Sequence, residues 1–281
     1  MTTANLTDIR NSYERDGYCF PIDAMTPERA RCCRDELEQV EAGIKQAGDD
    51  SAVLFTHANF VLPFIDEITR LASVLEPVKA ILGSNLLVWN ASFFTKEADT
   101  TDFVSWHQDL TYWGLDDVEE VTAWIAFSAV TVESGCMRFL PCSHKQDIVP
   151  HRDTFADVNM LSRGQELAVD VDESRTVDVV LEPGQMSLHH GHIFHASHAN
   201  QSQDRRIGLA IRYITPSMSQ VGGEKSYAHL VSGEDSIGNF HLLPAPNGTL
   251  LSEDLELARR NVEALEKYFY AGAEAQGKRL R

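Results

Sequence analysis

Leu86-Leu87-Val88-Trp89-Asn90-Ala91-Ser92-Phe93-Phe94 opens a stretch in which short runs rich in Val, Ile, Phe, Tyr and Trp are separated by turn residues. The same texture recurs at Phe103 to Trp113, Val121 to Val130, Cys136 to Leu140, Gln185 to His190 and Ile207 to Ile214. Acidic or polar loops lie between, such as Asp116 to Glu120 and Gln201 to Asp204. Runs of this length and composition predict strands of an all-β sandwich or barrel. A β core from about residue 86 to residue 216 follows.

Outward from that core the pattern becomes helical. On the N-terminal side, Tyr18 to Ile22 reads as a short strand, and Thr26-Pro27-Glu28 supplies an N-cap, a first-turn proline and a first-turn acid for a helix to about Ala47. A second helical stretch covers Phe64 to Leu82, with an interruption expected near Pro77 and a stop at Gly83-Ser84-Asn85. On the C-terminal side, irregular sequence runs through Gly222-Gly223 and the loop containing Pro244, Pro246 and Asn247-Gly248. Ser252 is then expected to cap a last helix whose apolar face, Leu255, Ala258, Val262, Leu265 and Phe269, packs on the sheet. The 281 residues therefore read as one domain: a mainly helical N-terminal segment (residues 1–85), the β core (residues 86–216), and a C-terminal extension with a helix (residues 217–281).

Composition narrows the function classes. A formal net charge of −18 repels a phosphate backbone, and the one basic cluster is Lys278 to Arg281, so nucleic acid is excluded as a partner. Met1 to Asp16 has no apolar signal core, and no run reaches the ~18 apolar residues of a membrane span. A cytoplasmic protein without a membrane or an obligatory protein partner is expected. Five cysteines lack any paired metal-ligand spacing, and reduced, mostly buried thiols are the expectation.

The chemistry concentrates in His107 and Asp109. Read as part of a strand, residues two apart share a face, so both side chains reach one ion. Two imidazoles and a carboxylate on one side of an ion suit Fe(II) and leave positions for a bidentate cosubstrate and O2. His195 is the second imidazole of choice, at the end of the strand-like run Met186 to Phe194, although His189, His190, His192 and His198 compete with it. A buried structural His–Asp pair is the alternative. His151-Arg152-Asp153 repeats the spacing, but it follows Pro150 in a charged stretch and reads as solvated loop.

Four ordered motifs then become recognisable: Trp106-His107-Gln108-Asp109, Glu133 to Lys145, His195 to Ser202 with Arg205-Arg206, and the run Ile207 to Tyr213. Together they closely resemble the phytanoyl-CoA dioxygenase family of Fe(II)/2-oxoglutarate-dependent oxygenases. The resemblance implies a mainly β fold, a double-stranded β-helix (jelly roll, cupin-like) core with flanking N- and C-terminal helices. It implies Fe(II) held by His107, Asp109 and His195, with 2-oxoglutarate and O2 as cosubstrates. Arg206 matches the arginine for the far carboxylate of 2-oxoglutarate and Ser197 its hydroxyl partner; Trp124 and Asn90 match further positions on the cosubstrate side. Tyr112, Trp113 and His192 are candidates to contact substrate.

Related halogenases carry a small residue in place of the carboxylate ligand. With Asp109 present, the resemblance implies hydroxylation of an aliphatic C–H, with release of succinate and CO2. The expected substrate is a small polar molecule: an amino acid, compatible solute, aminophosphonate or secondary metabolite. The overall acidity disfavours an acyl-CoA or carrier-bound acyl group. A redox-neutral cupin-like metal protein or isomerase is the competing class, and it would have no use for Arg206.

Overall fold

The computed structural model describes residues 3–48 and 51–271, so the basic cluster Lys278 to Arg281 lies outside the described residues. Helices come first: α1 (Thr3–Asp16), α2 (Pro27–Ala47), α3 (Ala58–Val61), α4 (Pro63–Thr69) and α5 (Ala72–Leu82), with strand β1 (Tyr18–Asp23) after α1. The Thr26 hydroxyl accepts from the Arg29 amide, and Gly48, at φ 70°, closes α2 in the left-handed conformation. The second helical stretch breaks at Arg70-Leu71 and not at Pro77. Arg70 ends α4 by donating its amide to the Glu67 and Ile68 carbonyls, Leu71 is extended, and Pro77 sits inside α5.

The β core follows as β2 (Leu86–Lys96), β3 (Val104–His107), β4 (Glu120–Ala126), β5 (Met137–Phe139), β6 (His151–Asp153), β7 (Gln165–Leu167), β8 (Val177–Val179), β9 (Gln185–His189), β10 (His195–Ser197) and β11 (Arg206–Ile214). The extension supplies β12 (Tyr227–Ser232), β13 (His241–Leu242) and α6 (Ser252–Phe269). One sheet runs β1-β9-β4-β11-β2-β12-β13 and a second runs β3-β10-β5-β8, with β6-β7 as a separate pair. Two sheets of mostly antiparallel strands, flanked by helices, make the double-stranded β-helix. The helices cover the outer face of the larger sheet.

Strand alternation decides what faces inward. On β11, Ile207, Leu209, Ile211 and Tyr213 join the core shared with the helices. Arg206, Gly208, Ala210 and Arg212 therefore look into the barrel. On β4, Val121, Ala123 and Ile125 join the helices' core, which leaves Glu120, Thr122 and Trp124 on the inner side. Gly208 is needed where it stands, because a Cβ there would lie 1.8 Å from the Trp124 ring. Regular pairing of Arg212 with Asn90 puts Asn90 on the inner face beside it, and the register shifts just beyond, between Arg212 and Tyr213.

Four further expectations are corrected. Leu251, not Ser252, is the N-cap of α6, with no side-chain cap bond. Beyond the apolar cluster that Leu265 joins, α6 closes over the mouth of the barrel: Asn261 bonds the His57 ring at 2.7 Å and the Arg163 guanidinium donates to the Phe269 carbonyl at 3.1 Å. His151 to Asp153 is a strand and not a solvated loop, because the His151 ring accepts from the Gln108 amide and Asp153 pairs with Arg163. Of the five thiols, only Cys33 and Cys136 are buried. Among the described residues no helix is long and apolar enough to cross a membrane.

Candidate active site

Strand β3 ends at His107 and does not continue to Trp113; Asp109 begins a 3-10 turn, Asp109–Thr111. The two side chains converge because the chain turns, not because a strand carries both on one face. His195 begins β10 instead of ending a long strand, since the chain turns between β9 and β10. Antiparallel pairing sets His195 directly opposite His107. Asp109 Oδ1 lies 3.2 Å from His107 Nε2 and 3.8 Å from His195 Nε2. The three ligand atoms fall within 4.8 Å of one another, the one such group of three among the described residues.

Second partners orient the imidazoles. His107 Nδ1 donates to the Ser105 carbonyl at 2.8 Å and His195 Nδ1 to the Ile193 carbonyl at 3.1 Å. A carbonyl only accepts, so both rings are held with the Nε2 lone pair toward Asp109, as a metal requires. Burial and then the neighbouring His107 lower the His195 pKa to about 4, which keeps it neutral. Burial pushes the Asp109 carboxyl up, but His195 and His107 beside it outweigh that and hold it below the usual carboxylate range. Two neutral imidazoles and a carboxylate fit Fe(II).

Two chambers meet at this triad. One is lined by Trp124, Met137, His189, Ser197 and Arg206 together with His107, Asp109 and His195. Arg206 is 2% exposed, and its one hydrogen bond goes to the Gly135 carbonyl at 2.8 Å. Its Nε is buried without a partner and the Trp124 ring lies 5.4 Å away. Burial alone brings its pKa down to about 10, still charged at neutral pH. A buried guanidinium with unused donors and no carboxylate beside it fits the far end of a dicarboxylate. Ser197 Oγ accepts from Lys96 Nζ at 2.7 Å, and Lys96 is itself 1% exposed.

The other chamber is lined by His57, Asn90, Ser92, Tyr112, Trp113 and Phe269, among others, and has a volume of about 130 Å³. Asn90 lines this chamber and not the one that holds Arg206, and its Oδ1 accepts from Arg212 at 3.2 Å. His192 lines neither chamber: its ring packs against His190 and its carbonyl accepts from Gln108. Arg212, Lys96 and His57 were missed in the sequence. A charge inside the apolar run Ile207 to Ile214 is the signal that marks Arg212, and Lys96 closes a run of the same kind.

The family model described as phytanoyl-CoA dioxygenase (PhyH) matches residues 13–208. The chain belongs to the phytanoyl-CoA dioxygenase family. Within it, the chain is 27% identical over 250 residues to a "Probable alpha-ketoglutarate-dependent hypophosphite dioxygenase" of Stutzerimonas stutzeri, covering 81% of this chain and 86% of that protein. The solved structure of the non-heme monooxygenase ThoJ superposes with a TM-score of 0.84 at 32% identity, covering 93% of this chain and 97% of that one. CytC3 with Fe(II) and alpha-ketoglutarate has the same fold, with a TM-score of 0.63 at 19% identity over 89% of this chain and 96% of that one. This member of the phytanoyl-CoA dioxygenase family is a dioxygenase of the Fe(II)/2-oxoglutarate class, and its His-Asp-His group is the one among the described residues whose donor atoms are close enough together to hold a metal ion.

Proposed function

We propose that the chain hydroxylates an aliphatic C–H of a small polar molecule, coupled to conversion of 2-oxoglutarate to succinate and CO2. The observation that carries this reading is the position of His107, Asp109 and His195 where two chambers meet, one lined by the buried Arg206 and both by the buried Arg212. His107, Asp109 and His195 would hold Fe(II), which when bound supplies the activation of O2. Arg206 and Ser197 would bind the far carboxylate of 2-oxoglutarate, with Trp124 flanking the guanidinium. Asp109, present where a halogenase has a small residue, favours hydroxylation.

On the other side, Tyr112, Trp113 and Phe269 wall a space of about 130 Å³. A cavity of ~150 Å³ accepts a molecule the size of benzene, so this one holds about that much substrate. The small volume and the net charge of −18 both disfavour an acyl-CoA. The protein's contribution is to hold the reacting groups in place and keep bulk water out.

Anaerobic titration of Fe(II) and 2-oxoglutarate, followed by the weak visible charge-transfer band, tests the reading. A band in the native chain that is lost in His107→Ala and Asp109→Ala, and that needs more 2-oxoglutarate to form in Arg206→Ala, is expected. Its absence from a folded native chain would point instead to a redox-neutral metal protein.

A further inference from the structure

Arg212 is six residues beyond Arg206 on β11, on the same inward face, and it lines both chambers beside Asp109. It is 6% exposed. All its hydrogen bonds leave from Nη1 and end on neutral oxygens: Asn90 Oδ1 at 3.2 Å, Ser92 Oγ and the Ala210 carbonyl at 3.3 Å. Its Nε is buried with no partner. Phe94 and Trp113 flank the guanidinium, with ring centres 5.5 and 5.4 Å away.

No ion pair to Arg212 exists among the described residues. The two nearest acids do not supply one. Asp109 is committed to the iron site. Glu120 is fully buried, one of its oxygens accepts from Thr122, and burial pushes its pKa up to about 8, which leaves it mainly uncharged at neutral pH. An arginine cannot shed its proton to escape burial, and a buried unpaired charge costs several kcal/mol. A guanidinium kept in this state, with the Nε edge unused, is built to receive an anion through paired hydrogen bonds.

We propose that Arg212 anchors the substrate, and that the substrate is therefore a small molecule bearing a carboxylate, phosphonate or phosphinate. This rests on the Fe(II)/2-oxoglutarate reading above and narrows its substrate class. The anionic group lies against Arg212, with the Asn90 and Ser92 side chains beside it. The body of the molecule fills the space between Trp113, Tyr112 and Phe269. Net charge does not oppose this: the field of distant surface charges is screened within a Debye length of ~8 Å, whereas the pair with Arg212 forms at contact in a water-poor chamber. The same chemistry could be met by the metal-side carboxylate of 2-oxoglutarate, and the experiment separates the two sources.

The full chain is loaded anaerobically with Fe(II) and 2-oxoglutarate, which gives the visible band, and titrated calorimetrically with methylphosphonate and acetate. Their neutral counterparts, dimethyl sulfone and acetamide, serve as controls. One-to-one binding of an anion, with no binding of its neutral counterpart, is expected. Arg212→Met should weaken anion binding about tenfold or more and leave the band and its dependence on 2-oxoglutarate unchanged. Arg212→Lys, which keeps the charge and decides the matter if the methionine variant does not fold, should weaken it several-fold because a single ammonium cannot make the paired bonds. Failure of either anion to bind the loaded native chain overturns the proposal, as does equal binding to the native chain and to both variants. Loss of 2-oxoglutarate affinity in a folded Arg212 variant assigns the residue to the cosubstrate and also overturns it. If the band never forms, the iron and 2-oxoglutarate reading fails; anion titration of the metal-free chain and its Arg212 variants then decides Arg212 separately.

Discussion

Arg206 and Glu120 are both buried on the inner face, and the sign of their charge separates a binding group from a liability. Removing Arg206 deletes charge-assisted hydrogen bonds to a carboxylate, each worth ~1.5–3 kcal/mol. Arg206→Met should therefore raise the dissociation constant of 2-oxoglutarate about 10- to 100-fold, measured from the visible band, while Fe(II) binding to His107, Asp109 and His195 is retained. An unchanged constant would remove Arg206 from the cosubstrate site. Glu120 behaves differently, because its Oε2 has no partner and its pKa is raised to about 8 by burial. The folded state then binds more protons than the unfolded state between about pH 4.3 and 8, so this carboxyl favours folding at low pH and the benefit is lost as pH rises through 8. Glu120→Gln in the metal-free chain should match the native melting temperature or fall below it near pH 4, and exceed it at pH 9 by about 4–8 °C, roughly 2 kcal/mol. A difference that does not vary with pH would show that Glu120 is not the titrating group. His107, Asp109, His195 and Arg206, which the fold brings to one chamber, were all legible in the sequence, because they stand in ordered motifs. Arg212, Lys96 and Glu120 were not, since their importance comes from burial, and burial of a charged residue contradicts what its type predicts.

The elements show which stretches of the fold were readable and why. Strand runs such as Leu86 to Phe94 and Ile207 to Ile214 were legible because both of their faces are buried, one under the helices and one in the barrel. The segment around His107 was misread as a continuous strand, because its aromatic composition persists through a 3-10 turn that only tertiary contacts impose: the Leu110 amide bonds the Gly191 carbonyl at 3.2 Å. Helix α6 was found, but its place over the barrel mouth was not, since its apolar face does not specify which surface it covers. Strand β11 depends on one small residue in the same way. Gly208 leaves the volume that the Trp124 ring fills, and that ring flanks Arg206. Gly208→Ala should destabilise the chain by about 1–3 kcal/mol and weaken 2-oxoglutarate binding together with it, by pushing the indole off the guanidinium. In a Trp124→Leu background the added methyl has room, so the same substitution should cost little more than an ordinary surface change. Equal costs in both backgrounds, read from urea midpoints, would mean that the strand itself and not the indole needs the glycine.

At the scale of the whole molecule, two fields oppose each other. The chain carries a formal net charge of −18, while two guanidiniums without an ion pair among the described residues, Arg206 and Arg212, sit inside the barrel on one strand. A dianion such as 2-oxoglutarate approaches through a repulsive long-range field and is held by a short-range attractive one. The long-range component is carried by exposed charges and is screened by salt, whereas the contacts inside the chamber are screened far less. Association and dissociation should therefore respond separately. In stopped-flow mixing of the Fe(II)-loaded chain with 2-oxoglutarate under anaerobic conditions, raising NaCl from ~0.02 to ~0.5 M should speed association several-fold, because the Debye length falls from ~20 Å to ~4 Å and the repulsion fades. The dissociation rate should change much less, since Arg206 and Ser197 are buried. An association rate that falls with salt would mean that the guanidiniums project their charge out of the barrel mouth and steer the anion in, which would overturn this division between a repelling surface and an attracting interior.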